Sequence, residues 1–175
     1  MDRQASADHP VTRDGAGHDA ILSQRDTGVM EQSTEVEIHA SPERVWEVLS
    51  DVERWPEWTE TVTTVTRLDA ESLGLGSRVR VEQPRLPPTE YVVTELDPGA
   101  GFTWVATGPG VRTTARHRIV AGTGAGAGGS VRVRLTVRQA GPLGTVMGRL
   151  FFKRLTERYL ATEAAGLKAR CEATR

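Results

Sequence analysis

Residues 141–173 read GPLGTVMGRLFFKRLTERYLATEAAGLKARCEA, and this stretch decides the fold. Gly141-Pro142 is a helix start signal, because proline is pre-set for the first helical turn and the N–H it lacks has no intrahelical partner there. Leu143, Val146, Met147, Leu150 and Phe151 then fall at i, i+3, i+4, i+7 and i+8, one face of a 3.6-residue period. Leu155 and Tyr159 continue from Phe151 at steps of four along the side of that face. The spacing predicts a helix from Pro142 to about Cys171, roughly 45 Å long at 1.5 Å per residue. A rod of that length crosses a whole sheet, and the residues before it supply one.

Upstream of the helix the period is two. Strands are expected at residues 60–68, 77–83, 89–96, 101–107, 111–120 and 130–139. Turn chemistry separates them at Leu73 to Gly76, Pro84 to Pro88, Asp97-Pro98-Gly99, Gly108-Pro109-Gly110 and Gly122 to Gly129. Links this short force antiparallel neighbours, since a parallel crossover takes a dozen residues or more. Val131, Val133, Leu135 and Val137 alternate with Arg132, Arg134, Thr136 and Arg138, so one face is apolar and needs a cover. The long helix is the available cover.

Further back, Ser33 to His39 alternates as a half-buried strand. Ser41-Pro42-Glu43 supplies an N-cap, an N1 proline and an early acid for a short helix carrying Val45, Trp46, Val48 and Leu49. Ser50-Asp51-Val52-Glu53 reads as a capping box for a second short helix, which Trp55-Pro56 ends. Residues 1–32 are polar and unpatterned and are expected to be a disordered tail, with residues 33–173 forming one domain. His9 and His18 lie in the tail without spaced partners for a metal.

The 175 residues are 38% hydrophobic and 26% charged, enough for a real core, and the formal net charge of −1 implies no bulk attraction to nucleic acid or to anionic membrane. The single cysteine, Cys171, makes neither an internal disulfide nor a cysteine-based metal site. No apolar run reaches a membrane span, and the N-terminus has no secretory apolar core, so a cytoplasmic protein is expected. Gly124 to Gly129 formally matches GxGxxG, but a strand pattern follows it rather than a helix, so a hairpin loop is expected instead of a dinucleotide site.

One strand, two short helices, six strands and a long helix form an order that resembles the START-like helix-grip (SRPBCC) superfamily, in its polyketide cyclase/dehydrase branch. The residues that carry the likeness are Ser41 to Trp46, Trp55-Pro56-Glu57-Trp58, Val93 to Leu96, Phe102-Thr103-Trp104, His117, Gly141 to Gly144 and Leu167 to Glu172. The resemblance implies an α+β fold: a seven-stranded antiparallel sheet gripping the long helix, with a hydrophobic cavity between. It also implies that the first strand pairs with the last, which would set Glu35 and Glu37 beside Arg132 and Arg134. Such cross-strand pairs favour reading the arginines at 112, 116, 118, 132, 134 and 138 as a solvated sheet face rather than a nucleic-acid patch.

Three functions fit that frame. One is binding of a small hydrophobic, aromatic or polyketide-like ligand, with cyclase or dehydratase chemistry where catalysis occurs. Another is a lipid or quinone carrier or sensor without chemistry. The last is an interaction module whose groove is filled by its own side chains. The candidate lining is Trp58, Val81, Trp104, His117, Val133, Leu135, Met147, Phe151 and Leu155. His117 is inward by strand parity and is either a proton shuttle or a satisfied core histidine, with no carboxylate of its own parity beside it. Trp104 either stacks on a flat ring or fills the core. Neither metal nor cofactor is called for. Turns alternate between the ends of a meander, so Pro84–Pro88, Gly108–Gly110 and Gly141–Pro142 gather at one end as the expected cavity mouth, with Trp104 ~10–15 Å inside it and His117 deeper.

Overall fold

The computed structural model describes residues 28–69, 72–120, 129–141 and 149–173, with side chains omitted at 149–151. Seven strands form one antiparallel sheet: β1 (Val29–Ile38), β2 (Thr64–Arg67), β3 (Arg78–Glu82), β4 (Thr89–Asp97), β5 (Gly101–Gly108), β6 (Val111–Val120) and β7 (Val131–Ala140). Their order is β1-β7-β6-β5-β4-β3-β2. Strands two to seven are a simple meander, and β1 closes onto β7 with Glu35 opposite Arg134 and Glu37 opposite Arg132. Helix α1 (Pro42–Ser50) and a 3-10 helix (Val52–Glu57) follow β1, and the long helix α2 (Arg149–Glu172) ends the fold. The helix-grip architecture is present as the sequence implied it.

Several boundaries differ, each for a local reason. β1 starts at Val29 rather than Ser33, because β7 runs on to Ala140 and offers partners to residues 29–32. β2 keeps only Thr64–Arg67 of the expected 60–68, since the preceding threonines turn inward and Thr59 Oγ1 bonds Thr61 Oγ1 at 2.9 Å. The second short helix is 3-10 and lacks its capping box: Asp51 makes no side-chain cap bond, and Pro56 lies inside the helix. Pro56 has no N–H to donate, which favours a short, tight turn over a regular α-helix. By contrast, the Ser41 hydroxyl caps α1 at the Arg44 N–H as read. The tail to residue 27, with His9 and His18, lies outside the described residues, as do the Gly124–Gly128 run and the Pro142 start signal. β6 and β7, on either side of the glycine-rich run, are adjacent antiparallel strands.

The core lies between the concave sheet face and α2. Ile38, Leu49, Val79, Val93, Phe102, Val133, Leu135 and Leu167 are all almost fully buried. On α2 the buried positions are Leu160, Ala164, Leu167 and Cys171, one stripe along the C-terminal half of the helix. Gly166 brings that half against the 3-10 helix: a Cβ there would sit 2.0 Å from the Trp58 carbonyl oxygen. A bulge between Val93 and Glu95 interrupts the β4–β5 register, and a bulge bends its strand and increases twist. On the convex face, arginines pair with carboxylates of other strands: Arg134 with Glu35 on adjacent β1, and, across β5, Arg118 with Asp97 at 3.3 Å and Arg116 with Glu95 at 3.8 Å. These exposed pairs each contribute little to stability. No described helix is long and apolar enough to cross a membrane.

Candidate functional site

The C-terminal half of α2 seals the sheet, whereas its N-terminal half faces a cavity of about 610 Å³. Ligand pockets commonly fall between ~300 and ~1,000 Å³. Phe152, Leu155, Thr156, Tyr159, Leu160 and Glu163 supply the helix wall, at i, i+3, i+4, i+7, i+8 and i+11. Alternate residues of β3 to β7 supply the sheet wall, because successive side chains point to opposite faces. Val81, Tyr91, Trp104, His117 and Leu135 are among them.

The rim of the cavity is built where three turns meet. Leu86, Pro87, Pro88, Gly108 and Pro109 line it. Gly141 packs onto the same turn, where a Cβ would sit 2.2 Å from the Gly110 carbonyl oxygen. Tyr159 donates its hydroxyl to the Pro84 carbonyl, tying the rim loop to α2. Just inside the rim, Thr113 and Gln139 are register partners and both line the cavity. Deeper, the walls are aromatic. Trp55 lies 5.3 Å from Trp104 and 5.1 Å from His117, ring centre to ring centre. Tyr91 lies 5.0 Å from Trp104. Trp55 donates its indole N–H to the Leu49 carbonyl at 3.1 Å, so its polar atom is satisfied outside the cavity.

At the inner end sits an ionisable pair. His117, on β6, places Nε2 3.1 Å from Oε1 of Glu163, on α2. Both side chains are largely buried, at 5% and 13% exposure. The His117 ring stacks on Phe102 at 4.6 Å, and its Nδ1 is buried with no hydrogen-bond partner among the described residues. Burial pushes the Tyr91 phenol up to about 12, and the charge of Glu163 adds to the rise. A hydrogen-bonded carboxylate and imidazole within reach of an apolar, ring-lined space can bind, orient or move a proton. Among the described residues, no three His, Cys, Asp or Glu side chains gather into a metal-binding group.

Of the residues singled out from the sequence, Val81, Trp104, His117, Leu135 and Leu155 line the cavity. Trp58 does not: its ring packs on Trp55 at 5.5 Å, behind the cavity wall and against Gly166. Val133 does not either, since it lies towards the sheet end that α2 seals and is fully buried. Met147 and the Phe151 side chain lie outside what the structure describes. No carboxylate of its own parity was expected beside His117, and its acidic partner, Glu163, arrives from the helix rather than from a strand of the sheet. Trp55, Tyr91 and Glu163 were missed. For Glu163 a signal existed: the steps of four through Phe151, Leu155 and Tyr159 reach it next.

Residues 30–172 match the family described as polyketide cyclase / dehydrase and lipid transport. Among solved structures, a START superfamily protein from Mycobacterium smegmatis superposes with a TM-score of 0.64 at 20% identity, over 81% of this chain and 97% of that one. The protein XoxI from Bacillus cereus gives 0.61 at 14% identity, over 79% of this chain and 92% of that one. The di-domain ARO/CYC BexL from the BE-7585A biosynthetic pathway gives 0.65 at 19% identity, over 88% of this chain. There the match spans 53% of the two-domain protein. At these identities the likeness is one of fold. No curated protein matches the sequence.

Proposed function

Because the chain belongs to the polyketide cyclase / dehydrase and lipid transport family, we propose that it takes a small, flat, hydrophobic molecule into the cavity between sheet and helix and performs proton-transfer chemistry on it. The observation that carries this reading is the buried His117–Glu163 pair at the inner end of a ring-walled space of about 610 Å³. Trp55 and Trp104 offer faces to a planar guest, and Tyr91 closes beside them. A flexible oxo chain held between such walls has its reacting carbons brought together, which can lower a barrier by several kcal/mol. The pair then supplies the proton movement that cyclisation or dehydration requires.

A carrier or sensor of lipid or quinone is the second reading, favoured by the apolar side chains of Val62, Val81, Ala106, Ala115, Leu135 and Leu155 that line the space. A groove filled by its own side chains is disfavoured by the cavity volume. Native mass spectrometry of the protein purified from its own host tests occupancy, and a neutral aromatic or polyketide mass is the expected result. With that molecule or its precursor as substrate, His117→Ala should lower turnover by ~10²-fold or more, the scale of a lost acid–base group. Unchanged turnover removes His117 from the chemistry, whereas a co-purifying molecule that the parent protein holds but does not convert leaves the carrier reading.

A further inference from the structure

The atoms of the inner pair divide its labour unequally. A carboxylate only accepts hydrogen bonds, so the 3.1 Å contact is a donation from His117 Nε2 to Glu163 Oε1. That spends the N–H of His117. Its Nδ1 is buried without a partner among the described residues, and the ring lies against Phe102 at 4.6 Å and Trp55 at 5.1 Å. Nε2 of His117 is therefore engaged and Nδ1 is shut away beside rings, so neither nitrogen is open to a guest. Glu163 is different. It is the more exposed of the two, it lines the cavity, and among the described residues its one hydrogen bond is to His117. Its second oxygen remains to accept.

We infer that Glu163 is the group that meets the ligand, that His117 is the residue that positions it, and that together they select a planar aromatic molecule bearing a phenolic or enolic hydroxyl at its leading end. This rests on the cavity reading proposed above. A carboxylate at the end of an apolar tunnel needs a donor from its guest, and a neutral hydroxyl supplies one at the smallest desolvation cost. An ammonium would bring a full charge to an acid already sharing itself with His117, among rings that replace none of the lost water. Tyr91 shows what the site does to a phenol: burial and the charge of Glu163 hold its proton on, up to about 12, so a guest phenol there remains a donor.

Calorimetric titration of the full chain with 2-naphthol, 2-methoxynaphthalene and 2-naphthylmethylammonium tests this. 2-Naphthol should bind at least ~10-fold tighter than its methyl ether, the scale of a hydrogen bond to a charged acceptor. In Glu163→Gln that ratio should collapse to within about two-fold. His117→Gln, whose amide can still donate to Glu163, should keep most of the preference, and His117→Leu should lose it, with thermal melts checking that each variant is folded. A preference that survives in Glu163→Gln overturns the assignment. So does one that vanishes in folded His117→Gln, which would make the imidazole itself the contact. Tightest binding of the ammonium overturns the hydroxyl class. If the phenol and its ether bind equally, the inference fails and the cavity reading stands. If none of the three binds, the cavity reading fails as well.

Discussion

Cys171 lies on the sealed half of α2, where burial pushes its thiol up to about 11. The thiolate is the reactive form, so the folded protein should resist a disulfide reagent at neutral pH and the unfolded protein should give one thiol. Rapid labelling of the native chain would show that the end of α2 is not docked as described. Tyr91 joins Cys171 in a second expectation. Both groups ionise less readily folded than unfolded, from ordinary values of 9.0 and 10.0 to about 11 and about 12. Whatever stability this difference carries is complete below the unfolded values and disappears as pH climbs through the folded ones. Urea midpoints should therefore fall steadily from about pH 9 to pH 12, and a flat profile would contradict the burial of both. The same residues mark how far the site could be read in advance. Trp104 and His117 were legible because a strand alternates and parity alone tells which way each points. Glu163 falls on the helix stripe, but its pairing with His117 is not legible, because 46 residues separate the two and only the three-dimensional crossing of α2 over β6 brings them together. In the sequence Trp55 reads only as the residue before a proline, whereas its ring lines the cavity.

At the scale of elements, α2 is two devices in one. Its C-terminal half is a lid packed on the core, and its N-terminal half is the wall of a space. Gly166 sets the spacing of the packed half. An added methyl group would sit 2.0 Å from the Trp58 carbonyl oxygen and 3.3 Å from the Trp58 ring, with backbone on both sides of the contact. Gly166→Ala should therefore cost ~1–3 kcal/mol by overpacking, outweighing the ~1 kcal/mol that alanine gains over glycine in a helix. Urea denaturation measures it, and a variant as stable as the parent would mean that helix and 3-10 turn sit farther apart. The strands and the long helix were visible in the sequence because their periods run for many residues. The 3-10 helix was not, since six residues carry too little periodicity to separate it from an α-turn, and its apparent capping box goes unused.

Across the whole molecule, acids tie segments that are remote in sequence. Glu172 accepts from the His39 N–H at 2.7 Å, and Glu53 accepts from the Arg67 N–H at 3.0 Å. These backbone donors are the chief reason that both carboxyls titrate below the usual range. Glu57 is held down by the Arg54 guanidinium, Asp69 by the Arg78 N–H and Glu37 by the Ser130 hydroxyl. A lowered folded value means that the unfolded chain takes up protons first as the solution is acidified. The stability these groups supply is present above their ordinary values of 4.5 and 3.8 and is lost as pH drops through the folded ones. The urea midpoint should decline from about pH 5 to pH 3, and one that rose instead would reverse the sign of these interactions. The closure of β1 onto β7 carries a consequence for biosynthesis. Glu35 and Arg134 meet across 99 residues of sequence. As the polypeptide leaves the ribosome, the meander from β2 onward can assemble hairpin by hairpin, but the earliest strand has no berth until the latest one has been translated. Through that interval the nascent protein exposes an unpaired strand with apolar residues along one face, so its yield in the cell depends on how well that strand is shielded from other chains before β7 is in place.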